Sequence, residues 1–318
     1  MPFAEKLIRW QRRHGRHDLP WQGTRDPYRI WLSEVMLQQT QVSTVIPYYQ
    51  RFIQKYPTVR PLAAASEDEV LQLWSGLGYY ARGRNLHRAA RLIARTGFPR
   101  TAEAIAELPG VGRSTAAAIA AFAYGERGAI LDGNVKRVLA RVFALSDEKS
   151  LWALAERLLP KRGIEAYTQA LMDLGATRCT RRKPLCTACP VSRSCKAKKQ
   201  DRIAELPAPR PRRELPEKRV TWLLLRHDGA VLVERRPAPG IWGGLWCPPE
   251  LVGTRPAAAR ALPPIEHGFT HFRLRIRPLL QDVKSRGPGR WLSLDAAGAA
   301  ALPAPVKSLL ARLRAGAH

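Results

Sequence analysis

Two carboxylates about a hundred residues apart lie in contrasting sequence surroundings and could together perform acid catalysis. Glu34 lies in IWLSEVMLQQTQV, residues 30–42, beside an apolar stripe of helical spacing, which predicts a raised affinity for a proton. Asp132 precedes the helical run GNVKRVLARVF, so N–H donors and the helix dipole are expected to keep it ionised, with a lowered proton affinity. Such a pair can protonate a leaving group and stabilise a developing cation. The alternatives are a solvent-turned Glu34 and an Asp132 that only caps its helix.

The cysteines form a second chemical pattern, C-x6-C-x2-C-x5-C, within 17 residues. In an intracellular chain such clustering favours metal binding over disulfides. All four thiolates come from one short loop, which favours a four-iron cluster over structural zinc, because zinc sites more often use two close pairs far apart. The predicted ligands are Cys179, Cys186, Cys189 and Cys195, whereas Cys247 is expected to pack as a small hydrophobe.

Residues 107–125, ELPGVGRSTAAAIAAFAYG, predict a helix, a tight hairpin and a second helix. Gly110 and Gly112 would let the backbone turn and expose N–H groups beside a helix N-terminus, a site for a phosphate. An ordinary turn between two helices is the alternative.

The charge balance favours a polyanionic partner. The chain carries 53 Lys and Arg against 26 Asp and Glu, a net charge of +27, which favours nucleic acid. Nine of the basic residues lie between 178 and 202, around the cysteines, where they could contact phosphates or simply be solvated.

Helical patterns dominate up to about residue 200, and local signals set their ends. Asp26-Pro27 predicts a helix start, and Ser66 with Glu69 predicts a capping box. Three glycines fall where helices should stop: Gly76, Gly97 and Gly125. The predicted helices are 4–14, 27–42, 46–55, 66–75, 79–96, 101–107, 113–124, 133–144, 150–159 and 164–174.

The pattern changes after residue 200. Residues 205–218 contain four prolines and many charges, which predicts a linker, placed at 201–218. RVTWLLLRHDGAVLVERR predicts a hairpin around Asp228-Gly229, and FRLRIRP, 272–278, alternates like a half-buried strand. The predicted fold class is multi-domain. Its parts are an all-α region, 1–200, that includes the cysteine loop, 179–195, and a small α+β domain, 219–318.

The sequence contains no run of 18 apolar residues and no apolar signal-peptide core at its N-terminus. We therefore expect a soluble cytoplasmic monomer, associated with the nucleoid and without a membrane partner.

Together these motifs resemble the helix-hairpin-helix DNA glycosylases with an iron–sulfur loop, and among them the MutY-type adenine DNA glycosylases. Three features distinguish that type from endonuclease III: Glu34 in WLSEVMLQQTQV, the β-rich domain after the cysteines, and Ser114 in LPGVGRST, where lyase relatives carry a Schiff-base lysine. The resemblance implies a [4Fe-4S] base-excision repair enzyme that removes adenine paired with 8-oxoguanine or guanine in double-stranded DNA. A bifunctional glycosylase–lyase and a non-catalytic lesion sensor are the alternatives.

The resemblance also implies residue roles in the helical region. Glu34 would protonate the adenine and also act on the attacking water, and Asp132 would stabilise the cationic sugar. The adenine must leave the base stack to reach Glu34, and Gln22 and Gln169 match positions that line its pocket.

Other matching positions concern the opened duplex and the product. Gln39 and Tyr79 match residues that wedge beside the oxidised base. Lys136 matches a lysine that forms an adventitious adduct with the abasic product and is not a required nucleophile. Serine at position 114 is one of two forms known in the family, the other being tyrosine.

The C-terminal domain resembles a Nudix fold without the Gly and REXXEE helix of the hydrolases, so pyrophosphate hydrolysis is not expected. HGFTHFRL matches the loop that recognises 8-oxoguanine, which places Phe269, Thr270 and His271 at the lesion. Thr270 replaces the usual serine, keeps the hydroxyl and adds a methyl group. Without the resemblance, FTHF would be interpreted as an edge strand with aromatic packing.

Overall fold

Helices predominate before residue 200 and strands after residue 216 in the computed structural model, which describes residues 2–208 and 214–316. This confirms the predicted fold class. Residues 209–213 of the predicted linker lie outside the described residues. The rest of that segment is not all linker, because Leu206 is buried in a helical core and a strand begins at Glu217.

Most helices begin and end within a few residues of the predicted positions. The predicted helix 27–42 is wrong in its second part: it ends at Leu37, since Gln39 has a φ of 56°, outside the right-handed helical region, and the next helix starts at Val42. The helices are α1 Phe3–His14, α2 Pro27–Leu37, α3 Val42–Lys55, α4 Val59–Ala64, α5 Glu67–Trp74, α6 Tyr80–Thr96, α7 Ala102–Ala106, α8 Arg113–Tyr124, α9 Gly133–Phe143, α10 Glu148–Arg157, α11 Ile164–Thr177, α12 Lys196–Lys199 and α13 Ala304–Arg314.

The chain divides into two units, and each is built from two chain segments. The first comprises Met1–Ala63 and Arg88–Pro211, and the second comprises Ala64–His87 and Arg212–His318. The helical segment 64–87 therefore belongs with the C-terminal strands, which the sequence did not indicate. The predicted domain borders stay predictions.

The core of the first unit forms around α8. Small side chains let neighbouring helices approach α8 closely, and it packs on α2, α7 and α11. The helices α1, α9 and α10 extend this core with buried Leu7, Leu139 and Leu154.

The second unit contains one mixed sheet in the order β3-β2-β1-β6-β4, with β5 also paired to β6 and β7 to β2. The predicted hairpin at Asp228-Gly229 is confirmed, and β6 alternates buried and exposed residues as predicted. β1 and β6 run parallel, with Glu217 opposite Arg273. The strands are β1 Glu217–His227, β2 Ala230–Arg235, β3 Trp246–Cys247, β4 Arg260–Ala261, β5 Ile265–Gly268, β6 Arg273–Asp282 and β7 Arg290–Ser293.

No helix within the described ranges is both long enough and apolar enough to span a membrane.

Candidate active site

Glu34 lies on α2, which begins at the predicted signal. The Asp26 side chain accepts a hydrogen bond from the Tyr28 N–H at 2.9 Å, and Pro27 occupies the first helical position. The helix buries Trp31 and most of its other side chains in the core, whereas Glu34 keeps partial exposure. A rigid, well-anchored helix therefore holds this carboxyl group in place.

A cavity of about 490 Å³ lies beside Glu34, entirely within the first unit. This volume falls in the range of pockets that enclose small organic molecules, and a purine base is within its capacity. Its walls combine apolar side chains with amides, the carboxyl groups of Glu34 and Glu165, and the basic side chains of Arg16 and Arg25. The lining includes Trp21, Phe122, Met172, Gln22, Gln169 and Glu34.

Burial and, secondly, the nearby charge of Asp132 raise the pKa of Glu34 to about 8. Its partial exposure is towards the cavity, so the proton it carries at neutral pH can reach a bound molecule. The direction of this shift agrees with the sequence-based prediction.

Asp132 caps α9 and accepts a hydrogen bond from the Val135 N–H at 2.7 Å. Burial raises its pKa, and this outweighs the hydrogen bonds from Val135 and Asn134, which lower it. The predicted lowering was therefore wrong, because burial of this segment depends on tertiary packing. Of the two coupled carboxylates, Asp132 is still the better candidate for the charged member, since its N–H donors stabilise the anion. Asp132 lies outside the lining of the cavity.

Two further contacts position the Asp132 segment. The Ser114 hydroxyl accepts a hydrogen bond from the Leu131 N–H at 3.0 Å, next to the carboxylate. On α11, a Cβ at Gly175 would lie 2.6 Å from the Asn134 Cβ, so only glycine allows α9 to approach this closely. Ser114 thus supports the site through the backbone.

Arg137, which the sequence analysis missed, links α9 to the cysteine loop. Its guanidinium donates to the Cys179 carbonyl, the Gly175 carbonyl and the Asn134 side-chain oxygen, each at 2.7 Å. Cys179 and Gly175 lie 42 and 38 positions away in the sequence, so spacing alone gave no signal for this link.

The four clustered cysteines line one small, largely apolar cavity and form no disulfide. The buried Arg141 guanidinium lies 3.5 Å from the Cys179 Sγ and also donates to nearby carbonyls. Burial raises the pKa of Cys189 to about 11, and a metal bound to its sulfur would displace the proton. In the part of the chain that the structure describes, no three His, Cys, Asp or Glu side chains are grouped around a single ion position.

The LPGVG hairpin joins α7 to α8 as predicted. Gly110 has a φ of 81°, which favours glycine, and Gly112 caps α8. The Gln38 side chain donates to the Gly110 carbonyl at 3.1 Å, which ties the hairpin to the end of α2. The N-terminus of the 12-residue α8 thus lies at an exposed turn, where a phosphate could bind.

Of the other residues predicted to act in the helical region, the two glutamines lie at the cavity and the lysine does not. Gln22 and Gln169 line the cavity beside Glu34. The Lys136 ammonium pairs with the Glu148 carboxylate at 2.6 Å and lies outside the cavity lining. The structure thus brings the two amides to Glu34 but directs Lys136 to another surface.

Both predicted wedge residues adopt left-handed backbone conformations. Gln39, in the turn after α2, has a φ of 56° and an exposed side chain, so it is not on the helix of Glu34. Tyr79, in the second unit, has a φ of 48°, is 44% exposed and lies under the Arg82 guanidinium. Such conformations are uncommon outside glycine and often mark functional loops.

The predicted lesion-contacting residues form the tip between β5 and β6 in the second unit. The Phe269 ring stacks on the Phe272 ring, with centroids 4.4 Å apart, and the Phe269 N–H donates to the Phe272 carbonyl. Thr270 and His271 are exposed at the tip, with the hydroxyl 3.3 Å from the His271 Nδ1. The tip thus exposes the polar side chains of Thr270 and His271 beside the stacked rings of Phe269 and Phe272.

The sequence matches two families of known proteins. Residues 32–161 match the HhH-GPD superfamily of base excision DNA repair proteins, and residues 220–312 match the NUDIX domain. In fold, the chain resembles a thermostable thymine-DNA glycosylase, with a TM-score of 0.58 and 32% identity over 62% of this chain and 95% of that one. An endonuclease III–DNA complex, with a TM-score of 0.55 and 22% identity over 62% of this chain and 94% of that one, supports the fold alone.

The similarity to curated proteins extends over almost the whole chain. The adenine DNA glycosylase of Buchnera aphidicola subsp. Baizongia pistaciae is 33% identical over 98% of this chain and 97% of its own length. The human adenine DNA glycosylase is 46% identical over 62% of this chain and 40% of its own length. The chain therefore belongs to the adenine DNA glycosylase family, within the HhH-GPD superfamily.

Proposed function

We propose that this DNA glycosylase hydrolyses the N-glycosidic bond of adenine paired with 8-oxoguanine or guanine in double-stranded DNA. One observation carries the proposal: Glu34, with a pKa of about 8, faces a cavity that can hold a purine base and is coupled to Asp132. The similarity to adenine DNA glycosylases supports adenine as the leaving base.

The mechanism follows from the two carboxyl groups. An adenine turned out of the duplex would enter the cavity, where neutral Glu34 donates its proton to a ring nitrogen of the departing base. Asp132, held by the Val135 N–H, would stabilise positive charge on the sugar as the bond lengthens. Glu34, now ionised, can then accept a proton from the attacking water.

Recognition of the opposite base is assigned to the tip of the second unit. The exposed Thr270 hydroxyl and His271 ring provide hydrogen-bonding groups, and the Phe269 ring beside them is held by stacking on Phe272. We propose that these residues, with the exposed Tyr79, contact the 8-oxoguanine partner strand. The expected monomeric state and cytoplasmic location stay predictions.

A single assay tests this function. Radiolabelled duplexes with adenine opposite 8-oxoguanine, guanine or cytosine are incubated with excess enzyme, and adenine release is scored after alkaline cleavage. We expect rapid release opposite 8-oxoguanine, slower release opposite guanine and the slowest opposite cytosine. Equal rates with all three duplexes would contradict recognition of the opposite base.

The alternative, a glycosylase–lyase, is favoured only by the shared endonuclease III fold. Two observations argue against it. Ser114 has no amine that could act as the nucleophile, and its hydroxyl accepts from the Leu131 N–H; Lys136 is paired with Glu148. Strand cleavage as fast as adenine release, without added alkali and trapped by borohydride, would support the lyase instead.

The pH dependence of excision reports the proton on Glu34. Because its pKa is raised to about 8, the active acid is present below that pH and lost above it. We therefore expect the single-turnover rate constant to fall about tenfold per pH unit well above pH 8. A rate constant unchanged from pH 7 to 9.5, with duplex binding intact, would exclude a rate-limiting proton from Glu34.

We propose that Cys179, Cys186, Cys189 and Cys195 hold a [4Fe-4S] cluster. The shared cavity of the four thiols and the soft, all-sulfur donor set fit this group. When bound, it would cross-link the loop that Arg137 and Arg141 attach to α9.

The cluster proposal predicts a yellow-brown protein with broad absorption near ~400 nm and about four irons per chain. Metal analysis and the visible spectrum of anaerobically purified protein measure this. A colourless protein with one zinc per chain would show that the site is structural zinc.

A further inference from the structure

A buried carboxylate, Asp173 on α11, lies behind the cavity. Its side chain is fully buried, and one oxygen accepts a hydrogen bond from the Arg16 backbone N–H at 2.9 Å. The other oxygen accepts from the Arg16 Nε at 2.7 Å and from the Gln169 Nε2 at 2.9 Å. The ion pair with Arg16 therefore holds the carboxylate in one orientation against Gln169.

This contact fixes which way the Gln169 amide faces. An ionised carboxylate only accepts hydrogen bonds, so the amide nitrogen must face Asp173. The amide oxygen is left as the end that a ligand can reach, because Gln169 lines the cavity and is only half-buried. Among the hydrogen bonds of the described residues, none has a protein donor to this oxygen.

Gln22, the other amide of the lining, is used within the protein at both ends. Its oxygen accepts from the Leu19 N–H at 3.1 Å, and its nitrogen donates to the Arg16 carbonyl at 3.0 Å. Gln22 thus stabilises the loop that carries Arg16, whereas the Gln169 side-chain oxygen is left as a hydrogen-bond acceptor for a ligand in the cavity. Glu34, protonated at neutral pH, offers the same cavity a donor, and the other carboxylate of the lining, Glu165, accepts from the Arg25 guanidinium at 2.8 Å.

We propose that Asp173 is a positioning residue that sets the polarity of the base pocket. By holding the Gln169 oxygen as an acceptor, it makes the pocket select a purine with an exocyclic amino group over one with a carbonyl at the same position. This rests on the proposed function, because it concerns the base that Glu34 protonates. A carbonyl in that place would face the Gln169 oxygen and leave a desolvated acceptor unpaired.

The test compares excision of adenine and hypoxanthine, which differ at this group, from duplexes with 8-oxoguanine opposite. In the wild-type protein we expect adenine to be preferred. In Asp173→Asn, the new amide can donate to Gln169, so the Gln169 amide can turn and present its nitrogen. We expect the adenine-to-hypoxanthine ratio of single-turnover rate constants to fall roughly 10- to 100-fold.

Asp18→Asn is the matched control, since it makes the same change at an exposed position two residues after Arg16. Its ratio should stay at the wild-type value. Gln169→Leu should lower the ratio as Asp173→Asn does, and adding Asp173→Asn to Gln169→Leu should then change the ratio no further. If Asp173→Asn does not fold, the adenine-to-hypoxanthine ratio of Gln169→Leu is used to test the inference.

The outcomes separate the inference from the proposed function. An equal fall in both rate constants in Asp173→Asn, with an unchanged ratio, indicates a merely structural role and overturns the inference. So does an unchanged ratio in Gln169→Leu. No adenine release by the wild-type protein from any duplex would reject the proposed function, and the inference with it.

Discussion

Glu34→Gln is expected to reduce the single-turnover rate constant of adenine excision by about 10²- to 10⁴-fold. The amide has nearly the shape of the protonated carboxyl group and can still donate a hydrogen bond, but it cannot transfer a proton to the base. Burial favours the neutral form at this position, so the neutral amide is expected to leave the fold intact. Rapid-quench measurement on the adenine–8-oxoguanine duplex gives the rate constant.

Binding and a matched variant complete this experiment. Duplex affinity, measured by fluorescence anisotropy, should stay within a few-fold of wild type, because the phosphate contacts are unchanged. Glu5→Gln, the same substitution at an exposed position on α1, should excise adenine at the wild-type rate. Full activity of Glu34→Gln would refute the assignment of Glu34 as the acid.

Asp132→Asn is expected to lower the single-turnover rate constant of adenine excision by about 10²- to 10³-fold. Asparagine caps helices as well as aspartate does, so α9 should keep its N-terminus while the negative charge at the sugar is lost. The charge of Asp132 also raises the pKa of Glu34, so the residual activity should fall off at a lower pH than in wild type. The pH profile thus distinguishes a lost charge from a damaged fold.

Asp147→Asn provides the matched control for the cap. Asp147 caps α10 with a hydrogen bond from the Ser150 N–H at 2.8 Å and is exposed. This variant should retain wild-type activity and a similar thermal midpoint. Should Asp132→Asn excise adenine at the wild-type rate, the stabilising charge must come from another group.

Features fixed by neighbouring residues were predictable from the sequence. The Asp26-Pro27 start of α2, the Ser66–Glu69 capping box and the Asp228-Gly229 hairpin all depend on contacts within a few positions. The raised pKa of Glu34 was predictable for a similar reason, since its apolar helical neighbours are encoded in the same stretch.

Features that depend on distant packing were not predictable. The end of α2 at Leu37 depends on the left-handed Gln39, a residue type that gives no turn signal. Burial reversed the expected pKa shift of Asp132. Asp173 resembled an ordinary helical aspartate, because its partner Arg16 lies 157 positions away.

The two-segment construction of the second unit limits how this protein can be divided. Its C-terminal part exchanges hydrogen bonds with the helical segment 64–87: the Trp246 indole N–H on β3 donates to the Asp68 carboxylate at 2.9 Å, and the Ser75 hydroxyl donates to the buried Leu302 carbonyl at 2.6 Å. A fragment beginning at residue 214 would lack those partners, and one ending at residue 208 would expose the face of α5 that met them. A recombinant form of the second unit must therefore include residues 64–87 joined to the C-terminal segment, because no single cut in the chain separates the two units.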